Sequence, residues 1–195
     1  MSNRNVGRPR EFDEQRVLDS AMEAFWRKGY EATSLADLCA CTGLNKGSLY
    51  QTFGDKHTLF MKSLAHYADT EFRQVAAVAF DHDSPIDSIR AVMHRVVDHT
   101  KEDCGCLMIN SLVELAPHDP EVLGFIQQLG DQRVRMMTDL VEKAQRAGEI
   151  PASEEARDIA VRLMVTLAGL VTTIKGFMDI EQAHEVVDGA VNALI

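Results

Sequence analysis

Two C-x-C pairs, Cys39/Cys41 and Cys104/Cys106, are the first side chains whose type and spacing could do chemistry. With no secretory leader pattern at the start of the sequence, the expected compartment is the reducing cytoplasm, and the four cysteines read as thiols rather than disulfides. Cys104 and Cys106 sit where a helix is predicted to begin, and a helix N-terminus lowers a thiol pKa, although Glu102 and Asp103 oppose it. They are candidate redox-sensing residues. His94 and His99 lie upstream and could join them in a soft metal site, but C-x-C without a second ligand pair is a weak metal signal, and Cys106 in an apolar stretch also suits core filling. No metal and no cofactor is therefore expected. Cys39 and Cys41 read as packing and helix-end residues, and His57, His66, His82, His118 and His184 as structural or solvated. A Gly-rich phosphate loop, a nucleophile elbow and an H-E-x-x-H pair are all missing, so the expectation is not an enzyme; a cysteine-based enzyme or sensor using Cys104/Cys106 is the alternative.

A second constellation occupies residues 34–53: a short helix, a break at Thr42, Gly43 and Leu44, and a second short helix ending at Gly54. This is the layout of a DNA-reading helix-turn-helix. Reading bases requires a second helix with an apolar inner face, here Leu49 and Phe53, and a slim polar outer face. Lys46, Gly47, Ser48, Tyr50, Gln51 and Thr52 meet that need. Gly47 permits close backbone approach to DNA, and Gln51 can pair bidentately with an adenine edge. Asn45 can cap the helix or reach a base or phosphate, and Lys56 would place a cation beside a phosphate. A plain three-helix packing unit would explain the apolar residues equally well, but not the polar set around the turn. Arg8 and Arg10 flank Pro9 in a basic arm that reads either as a minor-groove insert or as a solvated tail.

Phe25, Gly29, Tyr30, Thr33 and Ser34, then Gly43, Leu44, Lys46, Gly47, Ser48, Leu49, Tyr50, Phe53, Lys56, Leu59 and Phe60, resemble the DNA-binding domain of the TetR family of repressors. The resemblance covers about residues 7–64. It implies phosphate contacts from Thr33, Ser34, Tyr50 and Lys56, and a major-groove face of Asn45, Lys46, Gly47 and Gln51; Thr52 stands where the family often has His. Further along, the stretch 105–110 with Leu115, Ala116, Pro117, Asp119, Pro120, Glu121 and Val122 resembles a subgroup of these regulators. That likeness implies a helical bundle around an effector cavity and a dimer built on the last two helices.

The elements that position these residues read as all-α, about nine helices. Asp13, Ser34 with Asp37, Asn45, Asp55, Ser84 before Pro85, and Asp119 before Pro120 are helix starts; Gly29, Gly43, Gly54 and Gly148 are stops. The expected organisation is a DNA-binding head over residues 1–54 and an effector-binding and dimerisation body over 55–195. Charge follows the same division. The formal net charge of −10 divides into +1 for residues 1–62 and −11 for the remainder, so an acidic total leaves a head able to meet phosphate.

For an apolar or amphiphilic effector the candidate contacts in the body are Tyr67, Met93, Val97, Met108, Leu112, Phe125 and Met164, any of which could equally be core. The stripe Ala160, Met164, Leu167, Ala168 and Val171, with Val186, Val187, Ala190, Val191 and Leu194 in the last helix, suggests close helix contact in a homodimer. The reading is a dimeric one-component repressor, with double-stranded DNA bearing a palindromic operator and a small effector as partners, and no membrane.

Overall fold

The computed structural model describes residues 13–79, 81–100 and 104–195, and among the described residues it holds nine α-helices and no strand. These are α1 Glu14–Lys28, α2 Leu35–Thr42, α3 Lys46–Phe53, α4 Lys56–Ala79, α5 Pro85–His99, α6 Leu107–Glu114, α7 Pro120–Arg146, α8 Ala156–Thr173 and α9 Ile180–Asn192. None of them is long and apolar enough to cross a membrane.

Side-chain caps set most of the starts. Asp13, Asn45, Ser84 and Asp119 each accept from a backbone N–H in the first turn, and Ser34 forms a reciprocal box with Asp37. A second box, Asp179 with Gln182, starts α9 at Ile180. Gly43 closes α2 at φ 71°, the left-handed conformation that turns the chain directly into α3. The eighth helix stops at Thr173, short of Gly176.

Two apolar cores result. One holds α5 against α7, α8 and α9, with Ile89, Met93, Met137, Val141 and Val187 fully buried. The other begins in the head with Val17, Phe25, Leu38, Leu49 and Phe53, packed on Phe60 of α4. It continues without interruption into Leu107, Leu115 and Val122 of the body. Phe25 and Phe60 meet edge to face at 5.2 Å, and Tyr30 closes on Phe60 at 5.0 Å. Burying rings of this size stabilises by about 1.5–3 kcal/mol each. The long α4 belongs to both cores: Val75 and Ala79 lie in the first, Leu59, Phe60 and Leu64 in the second.

Candidate nucleic-acid interface and effector cavity

The α2–α3 pair packs inward through Leu38, Leu49 and Phe53 and leaves one side of α3 in solvent. Lys46, Gly47, Tyr50 and Gln51 are exposed on it, and Thr52 is half-buried. Lys46 lies over the Tyr50 ring, 5.6 Å from its centre. A Cβ added at Gly47 would come within 3.3 Å of Asn45 Oδ1, so this turn favours the bare backbone the sequence provides. Asn45 uses Oδ1 to accept from Ser48 N–H at 2.9 Å, which makes it the N-cap of α3. The Thr52 hydroxyl donates to the Ser48 carbonyl.

At the entry to α2, Ser34 is exposed, with its hydroxyl donating to Asp37 at 2.6 Å. Lys28 lies 2.5 Å from Asp37. Hydrogen bonds from Lys28 and Ser34 hold the Asp37 carboxyl well below the usual carboxylate range. Thr33 differs from its expected place. Its side chain is fully buried, and the hydroxyl donates to the Gly29 carbonyl at 2.6 Å, so it shapes the α1–α2 turn rather than facing outward. Lys56 lies over the Tyr30 ring at 4.3 Å, in the first turn of α4. Arg8 and Arg10 lie outside the described residues.

Head and body are joined by polar contacts, among them His66 of α4 with Asp19 of α1 at 2.7 Å. Trp26 Nε1 donates to the Gly105 carbonyl at 2.9 Å. Glu114 accepts the backbone N–H groups of Tyr30 and Glu31 at 3.0 and 2.9 Å. Within the body, His57 Nε2 in the first turn of α4 pairs with Asp119 at 2.7 Å. The Asp119 carboxyl is lowered first by the Val122 N–H at the start of α7, and further by His57.

In the body, α4, α5, α6, α7 and α8 enclose a cavity of about 170 Å³. Met108, Leu112 and Met164 line it. Tyr67, Met93, Val97 and Phe125 do not. Met93 and Val97 are fully buried in the α5–α7–α8–α9 core, and Phe125 packs half-buried against the other core. Tyr67 lies just behind the wall, its hydroxyl donating to Cys106 Sγ at 3.6 Å. Physically, a helix carries apolar residues on more than one side, and periodicity alone does not say which side faces a void.

The cavity also holds residues the sequence reading passed over, chiefly Glu71 and Arg133, ion-paired at 2.5 Å. Glu71 had a visible signal: it follows Leu64, Tyr67 and Ala68 and precedes Val75 at helical spacing, a carboxylate within an apolar stripe. Trp26 and Glu114 carried no comparable signal, because their partners lie 79 and 84 residues away.

Both C-x-C thiols of the body are buried, and Cys106 lines the cavity. Burial pushes its thiol up, and Glu71 adds to that, so the helix-start effect expected to lower it is outweighed. The suggested metal partners are engaged elsewhere. His94 pairs with Asp188 at 2.9 Å, and the His99 ring lies by Trp26 and Tyr67. Among the described residues, no group of three or more His, Cys, Asp or Glu could hold a metal ion.

The stripe expected to face a second copy divides between core and surface, with Ala168 and Val186 exposed. Ala160, Leu167 and Val171 are core of the single chain, as are Val187 and Val191 of α9. The outward face of α8 carries Val161, Val165, Gly169 and Thr172, all exposed, beside Val186 and Gly189 of α9.

Residues 17–61 match the bacterial regulatory proteins of the tetR family, and residues 85–190 match the tetracyclin repressor-like C-terminal domain. The chain is 30% identical to the HTH-type transcriptional repressor ComR of Escherichia coli strain K12, over 92% of this chain and 88% of that one. It is also 30% identical to the HTH-type regulator YezE of Bacillus subtilis strain 168, over 97% and 100%. Among solved structures, it superposes with a TM-score of 0.86 and 27% identity on a cysteine mutant of the TetR-family regulator CifR complexed with 26-bp operator DNA, covering 97% of this chain and all of that one. With head and body both matched, the chain belongs to the TetR family of transcriptional regulators.

Proposed function

We propose that the protein is a cytoplasmic, homodimeric, one-component repressor, released from a palindromic operator by a small apolar or amphiphilic effector. Residues 1–54 would bind DNA, and residues 55–195 would hold the effector and the dimer contact. The observation that carries this reading is the connection between two sites. The exposed α3 face belongs to a head whose α1–α2 turn is hydrogen-bonded to Glu114, at the end of the helix that supplies Met108 and Leu112 to the cavity. The operator DNA in the CifR structure and the repressor role in the name of ComR support the same reading.

In this reading Gln51, Lys46, Gly47 and Asn45 face the major groove, with Gln51 suited to an adenine edge. Ser34, Tyr50 and Lys56 contact phosphates, Thr52 edges the same face, and Arg8 and Arg10 enter the minor groove. Thr33 acts indirectly by holding the turn. An effector that fills the cavity shifts α6, and Glu114 passes the shift to the head. The two heads of the dimer then lose the roughly 34–36 Å spacing of successive major grooves. Selection from random-sequence DNA followed by gel-shift titration tests this. An enriched palindrome bound in a salt-sensitive way supports it, and failure to enrich any sequence overturns it.

A second reading, a thiol-based sensor using Cys104 and Cys106, is favoured by the place of Cys106 on the cavity wall. Its raised pKa keeps the thiol protonated and slow to react until the cavity opens. Mild oxidant that releases DNA from the native protein, but not from Cys104→Ser/Cys106→Ser, supports it; equal release from both overturns it.

A further inference from the structure

One wall of the cavity differs from the others. Val75, Val92, Ile126, Met137 and Leu167 make the site apolar, yet Glu71 of α4 is only 5% exposed and Arg133 Nη2 of α7 lies 2.5 Å from its Oε2. The Arg133 side chain stays 22% exposed. The other polar lining groups are already engaged. The Thr100 hydroxyl donates to the Val96 carbonyl, and Cys106 Sγ accepts from Tyr67. A buried ion pair is poor value as a stabilising device, since apolar residues of similar volume often serve as well or better. What this pair adds is an acceptor and a donor side by side on an apolar surface.

That pairing discriminates among ligands by charge. A carboxylate would compete with Glu71 for Arg133 and place a second anion beside the first. An ammonium group would be drawn to Glu71 but repelled by Arg133. Either would leave a charge stripped of water among apolar side chains. A neutral hydroxyl adds no charge. Its O–H donates to the Glu71 carboxylate, and its oxygen accepts from the Arg133 guanidinium, both as charge-assisted hydrogen bonds.

Size narrows the class further. An apolar cavity of about 150 Å³ takes up benzene, and this one is about 170 Å³. It fits one ring with a small substituent, with exposed Phe72 and Leu112 at its edge. Gly130, inside α7, lines the same space, and a Cβ built on it meets no atom within 4 Å. The helix forgoes a better helix former at that position, and the space stays open.

Resting on the reading of this cavity as the effector site, we propose that its ligand is a small neutral molecule, a single apolar ring bearing a hydroxyl group, with the hydroxyl bridging Glu71 and Arg133. Isothermal titration calorimetry on the full chain at pH 7, without DNA, tests this with four para-substituted toluenes: p-cresol, its isostere p-xylene, 4-methylbenzoate and 4-methylbenzylammonium. The cresol hydroxyl, like that of tyrosine, is neutral there. The expected result is p-cresol binding at least tenfold tighter than each of the other three.

Gly130→Leu, which fills the space while favouring the helix, is expected to weaken p-cresol at least tenfold with the circular dichroism unchanged. Removing one partner of the ion pair would leave a buried unpaired charge, so the two are replaced together. Glu71→Leu/Arg133→Met is expected to bind p-cresol and p-xylene within threefold of each other. Equal or tighter binding of the acid, the amine or p-xylene by the native chain overturns the proposal, as does binding of none of the four. Unchanged p-cresol binding by Gly130→Leu overturns it too. With no DNA present, the outcomes separate: a selected operator with no p-cresol preference overturns the ligand class alone, and p-cresol binding without any operator overturns the regulator reading alone.

Discussion

Glu114 Oε2 accepts the backbone N–H of Tyr30 at 3.0 Å, so the last residue of α6 holds the turn that opens the DNA-reading head. The other carboxylate oxygen takes the Glu31 N–H, so a single side chain satisfies two consecutive donors at the end of α1. Because α6 also walls the cavity, this contact lies between the two proposed sites.

Glu114→Ala should therefore cost about 1–3 kcal/mol in urea unfolding, through two lost hydrogen bonds to a charged acceptor. Glu114→Gln, which keeps one acceptor oxygen, should lose less. Operator affinity of the alanine variant should become less sensitive to whatever fills the cavity. An alanine variant as stable as the native chain would show that the contact is idle.

On α3, Gln51→Ala should lower affinity for the selected operator by about 1–3 kcal/mol while leaving non-specific binding nearly unchanged, the mark of a base contact. Lys56→Ala, at a residue assigned to phosphate, should weaken binding to all sequences and reduce its salt slope by about one. Gln51 is exposed, so the thermal stability of its variant should stay within about 0.5 kcal/mol of native. Gel-shift titrations at several salt concentrations distinguish the two behaviours.

Val165 is 66% exposed on the outward side of α8, in line with Val161 and Gly169. Small and apolar residues along one face suit close helix contact with a second copy. Val165→Glu should shift the protein from dimer to monomer in analytical ultracentrifugation and weaken binding to a palindrome more than to a half-site. A dimer unaffected by the substitution would place the contact elsewhere.

Stability should fall on the alkaline side. Burial raises the Cys106 thiol above its ordinary 9.0 and the Tyr67 phenol well above its ordinary 10.0. In the unfolded chain both groups ionise at ordinary values while the folded chain keeps them protonated. Unfolding then releases protons, and stability falls as pH rises above about 9. Cys106→Ala should remove up to one proton from that slope, about 1.4 kcal/mol per pH unit, in denaturant titrations between pH 9 and 10.

Local chemistry made much of this architecture legible. Asp13, Ser34 with Asp37, Asn45 and Asp119 announce helices because a cap needs only its own first turn. The polar face of α3 was readable for the same reason, since Leu49 and Phe53 fix which way the helix points. Tertiary placement was not. Met93 and Met108 look alike in sequence, yet one is core and the other cavity wall, a difference set by where α5 and α6 meet their neighbours. Likewise α8 is apolar on both sides, so the stripe chosen from periodicity was mostly the inward one. Glu71 was within reach, because a carboxylate at a core position of α4 requires a partner, although Arg133 could not be named as that partner from 62 residues away.

Trp26 is the single tryptophan of the chain, and its position has an optical consequence. Its indole N–H rests on the Gly105 carbonyl, and its ring lies edge-on 4.9 Å from Tyr67, whose hydroxyl reaches the cavity-lining Cys106. Excited where tyrosine does not absorb, the native protein thus emits from one tryptophan per chain, at the seam between head and body. A change in its emission maximum or lifetime reports movement at that seam alone, without a dye, a tag or a substitution.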